Sequence, residues 1–165
     1  MNASDFFGVL SGLTRYEVRF VLVGGLAARL HGSPTVTLDI DICPARDEQN
    51  LQSLVRALQS IDAKLRGVEE VVPFLLDTKS LSRGVNFTFT TTMGALDVLG
   101  EPAGTQGYED LVPNAVEMII DGITVLVASL EDLMRMKEAA GQPKDRIELE
   151  ILGALRDEVE GRDDS

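Results

Sequence analysis

The sequence is poor in the residues that build disulfides and soft-metal sites. Its 165 residues include one cysteine, one histidine and no tryptophan. A lone Cys43 cannot form an internal disulfide or a cysteine-based zinc site, and one histidine excludes a histidine-cluster metal centre. The abundant metal ligands are therefore carboxylates, which suit Mg²⁺, Mn²⁺ or Ca²⁺.

Positive charge is also scarce. Fifteen Lys and Arg stand against 27 Asp and Glu, a formal net charge of −12. This balance argues against a duplex-DNA binder or a protein of anionic membrane surfaces, because both need basic surface. No basic residue precedes Arg15, and no apolar run is long enough to span a bilayer. We therefore expect a cytoplasmic protein without a signal peptide or membrane span.

The remaining composition is that of a globular domain, with 44% hydrophobic and 25% charged residues. We expect one domain over residues 1–159 and a charged, frayed tail over 160–165. Hydrophobic periodicity, glycine pairs and capping residues mark the elements. They predict helices at 6–13, 26–31, 47–60, 129–140 and 143–159, and strands at 18–23, 36–43, 85–91, 95–99, 116–120 and 123–127. Segment 68–76 is ambiguous and 100–107 is a loop. Because strands and helices do not alternate strictly, we expect an α+β fold with helices packed on a mixed sheet.

Three features could form one chemical site. Gly24-Gly25 lies at a strand-to-helix turn, where the backbone can approach a ligand and helix N–H groups can meet phosphate. Asp39 and Asp41 are two residues apart on a strand, so both carboxylates share a face. Asp97 lies within the apolar run 95–99, where an acid is costly unless it is paired or bound to metal. Three such carboxylates suit metal-assisted phosphoryl transfer.

Each feature also has a structural interpretation. Asp39 and Asp41 could form the solvated face of an amphipathic strand. Asp97 could be a buried acid paired with an arginine. The glycine pair could begin a dinucleotide-binding loop, although its spacing does not satisfy the G-x-G-x-x-G pattern.

The glycine pair, the following helix and the run Thr37-Leu38-Asp39-Ile40-Asp41-Ile42 together resemble the signature of the DNA polymerase beta-like nucleotidyltransferase superfamily. Within it, the chain is similar to the small bacterial AbiEii-type nucleotidyltransferases of toxin–antitoxin systems. The segments that add this likeness are 128–133, Lys137 and 141–145. The resemblance covers roughly residues 17–155 and implies a nucleotidyltransferase fold.

The resemblance further implies transfer of a nucleoside monophosphate from a nucleoside triphosphate, with Mg²⁺ or Mn²⁺. By motif position, Asp39 and Asp41 are metal ligands. Asp97 is the third carboxylate, both a metal ligand and the candidate base for the acceptor hydroxyl.

Two further residues, nearer the C-terminus, also match positions of the family's motifs. Lys137 and Asp145 are the catalytic lysine and aspartate, with Lys137 on the triphosphate. Lys137 also continues the buried stripe of its helix, so it either reaches the surface or points into a cleft. Asp145 has a simpler interpretation, because acids favour the first turn of a helix. Nucleotide binding is assigned to Gly24, Gly25, Thr37, Lys137 and Lys144.

The implied partners are a nucleoside triphosphate and a protein or RNA acceptor, with a toxin or antitoxin as the probable protein partner. The chain lacks basic residues at 33–36 and at Gln142, where relatives carry them. That difference motivates an alternative of another class, an antitoxin-like binding module with little catalysis that neutralises a partner by contact. A metal-dependent nucleotide-binding regulator is a third hypothesis.

Overall fold

The computed structural model describes residues 3–37, 39–66, 78–83, 86–143 and 145–163. The strands within these ranges are β1 Phe20–Val23, β2 Asp39–Pro44, β3 Lys64–Leu65, β4 Asn86–Thr91, β5 Gly94–Leu99, β6 Val116–Ile120 and β7 Ile123–Val127. The helices are α1 Ala3–Arg15, α2 Gly24–Leu30, α3 Glu48–Ser60, α4 Thr78–Arg83, α5 Tyr108–Leu111, α6 Leu130–Ala140 and α7 Asp145–Asp163, and a 3₁₀ turn covers Val112–Asn114.

The strands form one mixed sheet in the order β3-β4-β5-β2-β1-β7-β6. β2 runs parallel to β5, and β1 runs parallel to β7. The other neighbouring strands are antiparallel. The predicted α+β fold with a mixed sheet is therefore confirmed.

Local sequence signals account for several element ends. Asp47 caps α3 by accepting a hydrogen bond from the Asn50 N–H, and Ser129 caps α6 in the same way from the Asp132 N–H. Asp121 and Gly122 both have positive φ, 49° and 83°, as a two-residue type I′ hairpin turn requires. The hairpin β6–β7 therefore has the bounds that its sequence predicted.

The core lies against one face of the central strands. Ile40, Ile42 and Leu96 are fully buried there. Helix α3 covers this face, because Leu51 and Leu54 line a small cavity together with Val98 and Phe87. The alternate residues of β2 and β5 point to the opposite face, over which α6 and the loop after β5 lie.

Some elements differ from the expectation. β2 begins at Asp39 and not at residue 36, because 31–37 form a loop in which the Ser33 side chain bonds the Thr35 N–H. α7 continues to Asp163, four residues past the expected end. The short elements β3, α4 and α5 were not predicted, because they lack a full period of apolar residues. The ambiguous segment 68–76 and Val85 lie outside the described residues. No helix in the described ranges has the length and apolar character that a membrane crossing requires.

Candidate nucleotidyl-transfer site

The sheet register brings two of the predicted carboxylates together. Asp41 on β2 lies opposite Asp97 on the parallel strand β5. Residues that pair directly across strands share a face, so both side chains leave the sheet on the side away from the core. Asp39 lies two residues before Asp41 on the same face, opposite Ala95. The alternative that Asp97 is a structural acid paired with arginine is not supported, because its neighbour is another carboxylate.

The environment of Asp41 makes its charged form unfavourable. Burial of Asp41, its contact with Asp97 and the negative charges of Asp97 and Asp39 raise the pKa of Asp41 from 3.8 to about 7. The Lys137 ammonium acts in the opposite direction. Two buried carboxylates within hydrogen-bonding reach of each other require a shared proton or a cation between them.

The oxygens of this pair fit a hard cation. Asp41 Oδ1 and Asp97 Oδ1 are buried and accept no hydrogen bond from the described residues. A buried carboxylate oxygen without a donor is stabilised by metal coordination, and oxygen ligands suit Mg²⁺. In their present orientations, no three acidic, histidine or cysteine side chains of the described ranges surround a common point. The structure therefore joins Asp41 and Asp97 directly, while Asp39 acts on them through its charge.

Gly24 allows the site to form. It is the first residue of α2, with φ +72°, and it lies next to the Asp41 carboxylate. A Cβ atom at this position would overlap Asp41 Oδ2. The glycine is thus required both by the left-handed backbone and by the close approach of the carboxylate. The dinucleotide-loop interpretation is not supported, since that loop joins parallel strands through a helix, whereas β1 and β2, which flank α2, are antiparallel.

Gly25 lies beside the Thr37 hydroxyl. A Cβ atom at Gly25 would come 2.8 Å from Thr37 Oγ1, so the absence of a side chain leaves room for that hydroxyl. Thr37 Oγ1 donates to the carbonyl oxygen of Asp39 over 3.2 Å, which ties the loop to the start of β2. The structure therefore brings Thr37 to the glycine pair, as the nucleotide-binding assignment requires.

Lys137 and Asp145 form an ion pair between α6 and α7. Lys137 Nζ lies 3.2 Å from Asp145 Oδ1, and Asp145 Oδ2 accepts the Gln142 N–H over 3.2 Å. The Asp145 side chain is 5% exposed and that of Lys137 is 31% exposed. Asp145 thus holds the lysine in place, while Lys137 is close enough to act on Asp41. Lys144 lies outside the described residues.

A cavity of about 190 Å³ lies next to this lysine, and the candidate carboxylates are not among its lining residues. Gly24 and Lys137 form part of its rim, and the walls are mainly apolar, from Val23, Leu99 and Leu133. Asn86 adds an amide opposite Leu99. Asn86 could not be predicted from sequence, because its place beside this cavity depends on the pairing of β4 with β5.

Two arginines that sequence reasoning did not assign lie near the site. Arg146 lines a second cavity of about 330 Å³ together with Lys137, Asp145 and Gln142. Arg29 on α2 reaches the Thr35 carbonyl at 3.5 Å and lines a third cavity of about 420 Å³ with Thr37. Arg29 and Arg146 therefore supply positive charge near residues 33–36 and near Gln142, where the sequence lacks basic residues.

Cys43 takes no part in this chemistry. Its thiol is buried, and burial raises its pKa to about 12. A thiol in that environment stays protonated and unreactive at neutral pH.

Comparison with known proteins supports the fold. No protein-family model matches the sequence, and no curated protein matches it. Among solved structures, the chain is similar to the lincosamide antibiotic adenylyltransferase LnuA bound to lincomycin, with TM-score 0.64, 17% identity, and coverage of 94% of this chain and 98% of that one. A proposed nucleotidyltransferase from Thermotoga maritima gives TM-score 0.58 and 18% identity over 98% and 96% of the two chains. The antibiotic-resistance factor ANT(2'')-Ia gives TM-score 0.54 and 17% identity over 96% and 91%. The chain therefore has the nucleotidyltransferase fold.

Proposed function

We propose that the protein is a Mg²⁺-dependent nucleotidyltransferase that moves a nucleoside monophosphate from a nucleoside triphosphate onto an acceptor hydroxyl. The observation that carries the proposal is the Asp41–Asp97 pair, whose buried Oδ1 atoms lack donors among the described residues. Mg²⁺ held by this pair, with Asp39 as third ligand, would supply charge neutralisation for the triphosphate and acidify the acceptor hydroxyl. Mn²⁺ fits the same donor set.

Each site residue has its own proposed role in the transfer. In the transfer, the acceptor oxygen bonds to the α-phosphorus, and the bond to the pyrophosphate oxygen breaks. Asp97 accepts the proton of the acceptor hydroxyl, since its carboxylate lies beside Asp41, on the face of the sheet that would hold the metal. Lys137 neutralises the negative charge of the triphosphate, and Asp145 keeps it directed to the cleft. The glycine pair lets the start of α2 approach Asp41 and the Thr37 hydroxyl closely, and the free N–H groups of α2 would bind phosphate there.

We further propose a protein or RNA acceptor and a role in a toxin–antitoxin pair. The likeness of segments 128–133 and 141–145 to AbiEii-type proteins supports this role. The net charge of −12 favours a protein over a long RNA, because repulsion opposes a polyanion outside the metal site. The similar structures include an adenylyltransferase of lincosamide antibiotics, so a small hydroxylated acceptor is the competing class.

The test is a labelled-nucleotide screen. Purified protein with Mg²⁺ and each of the four labelled nucleoside triphosphates is incubated with cellular protein, with cellular RNA and with lincomycin as the small-molecule arm. We expect label on one acceptor class with one favoured nucleotide. The variants Asp39→Ala and Asp41→Ala should abolish labelling, whereas Asp157→Ala, at an exposed acid of α7, should not change it. No labelling in any arm, or labelling that survives both site variants, contradicts the proposal.

A binding module without catalysis is the second candidate. It is favoured by one observation, namely that Lys137 is already paired with Asp145 and so has one counter-ion before any triphosphate binds. This candidate expects stable binding of a toxin partner that persists in the Asp39→Ala, Asp41→Ala double variant. Neutralisation that disappears in the double variant would exclude it.

A further inference from the structure

Strand β6 ends the sheet and has one paired edge. Among the described residues it pairs only with β7. Its sequence, Val116–Ile120, is VEMII, with no lysine and no proline. Sheet edges are normally blocked by lysine, proline, bulges or covering segments, because an open edge pairs with other strands. β6 has neither lysine nor proline, and Glu117 is its single charged residue.

The hairpin geometry identifies the backbone groups that face outward. In a two-residue type I′ hairpin the residues that flank the turn, Ile120 and Ile123, exchange hydrogen bonds with each other. The hydrogen-bonded positions then alternate along β6, so that Met118 and Val116 also bond to β7. Glu117 and Ile119 therefore direct their N–H and C=O groups away from the sheet.

The side chains of the same two residues are also exposed. Ile119 is 76% exposed, the highest value among the large hydrophobic residues of the described chain. Glu117 lies two residues away on the same face and forms no ion pair with the described residues. An exposed apolar side chain and an exposed acidic side chain therefore lie beside the outward-facing N–H and C=O groups of the same two residues.

The charged residues in the sequence around β6 are all acidic, and among the described residues the one arginine that lines a cavity with Ile120 is Arg29 of α2. Residues 101–134 contain no lysine or arginine, and their seven acids are Glu101, Glu109, Asp110, Glu117, Asp121, Glu131 and Asp132. Arg135 pairs with Asp110 and Asp132 but not with Glu117. A second copy of the chain at this edge would bring two such segments together, each on a molecule with net charge −12. Charge therefore favours a basic partner over self-association.

We propose that β6 binds an extended, basic segment of another protein, which adds to the sheet beside it as a further strand. Main-chain hydrogen bonds to Glu117 and Ile119 hold the segment, an apolar side chain covers Ile119, and a lysine or arginine pairs with Glu117. This docking edge is separate from the carboxylate pair and does not depend on nucleotidyl transfer.

The experiment uses ¹⁵N-labelled full chain and a synthetic peptide, Lys-Thr-Val-Thr-Lys-Thr-Val-Thr-Lys, whose alternate residues place lysine and valine on one face. The matched peptide has glutamate in place of each lysine. We expect the lysine peptide to slow hydrogen exchange at the Glu117 and Ile119 amides, with little change at Met118, which is already bonded to β7. The glutamate peptide should not protect either amide.

Two variants test the edge. Ile119→Pro removes an outward N–H without removing a bond to β7, and should weaken peptide binding at least tenfold. Ile119→Lys leaves the backbone unchanged, places a blocking charge on the edge, and should weaken binding similarly. Thr124→Ala, opposite Ile119 on β7, is the control and should bind like the parent chain.

Several results would overturn the proposal. They are an absence of protection at millimolar lysine peptide, equal protection by both peptides, or unchanged binding in both Ile119 variants. A sedimentation experiment is the last arm: a dimer that protects the same amides without peptide would assign the edge to a second copy and overturn the basic partner.

Discussion

Alternating residues of strands β2 and β5 form two different faces of the sheet, one that packs into the core and one that carries the carboxylates. On one face, Ile40, Ile42 and Leu96 are fully buried against the helices of the core. On the other, Asp41 and Asp97 press two like charges together beside a cleft. The same backbone hydrogen bonds position both sets, since successive side chains of a strand point to opposite faces. Stability gained on the core face thus offsets repulsion on the other.

Substitution of Asp97 should distinguish the carboxylate face from the core face most clearly, because it should lower activity without lowering stability. In Asp97→Asn the proposed base for the acceptor hydroxyl is lost, and we expect nucleotidyl transfer to fall about 100-fold to 10,000-fold. The same change removes repulsion with Asp41, so the thermal midpoint of the metal-free protein should rise. Activity and melting are measured on one preparation, with Asp121→Asn in the exposed hairpin turn as the control. A variant of unchanged activity would remove Asp97 from the site.

Leu96, the neighbour of Asp97 in β5, should show the reverse pattern, with lower stability and unchanged activity. Leu96 is fully buried, and Leu96→Ala should lower the free energy of unfolding by about 2–5 kcal/mol, because it leaves a cavity in the core. Activity per folded molecule should stay near the parent value at a temperature well below the melting transition. Urea unfolding gives the stability. A loss of activity as large as that of Asp97→Asn, in protein shown to be folded, would contradict the division between the faces.

Gly24 tests the close approach of α2 to the carboxylate face. Gly24→Ala should reduce activity strongly and also destabilise, because its Cβ overlaps Asp41 Oδ2 at a positive φ. Gly122→Ala is a matched control, with φ +83° and open space around the added Cβ. It should cost only the backbone strain, about 1–2 kcal/mol, with activity retained. Equal effects of the two variants on activity would mean that strain, and not the overlap with Asp41, is responsible.

The smallest expected effect is on the way in which the stability of the protein depends on pH. Because the pKa of Asp41 is raised from 3.8 to about 7, the folded metal-free protein binds more protons than the unfolded chain between these values. Its stability should therefore fall as pH rises from about 4 to about 7, and Asp41→Asn should flatten the curve. Thermal melts across this range, with and without Mg²⁺, provide the measurement. A curve of equal slope in the parent and the variant would contradict the coupling of the two carboxylates.

Much of this fold follows from local sequence signals. The bounds of β6 and β7 follow from the Asp121-Gly122 turn, and α3 and α6 begin after the capping residues Asp47 and Ser129. The start of β2 was wrong by three residues, because the loop bonds of Ser33 and Thr37 compete with strand pairing and leave no periodic trace. For the site, Asp41 could be proposed from its spacing with Asp39 on one strand face, and Asp97 from the cost of an acid in an apolar strand. Arg146 and Asn86 could not, since their placement depends on packing between distant elements.

The sequence by itself determined which chemistry is available: carboxylates as metal ligands, a glycine pair at a strand-to-helix turn, and few cations. These are properties of residue type and of short-range spacing. Only the tertiary structure decided that Asp41 lies opposite Asp97, that Asp145 holds Lys137, and that Glu117 and Ile119 face an open edge. Strand order and register are long-range pairings, fixed by burial of one whole face of the sheet, and no local pattern of residues contains them.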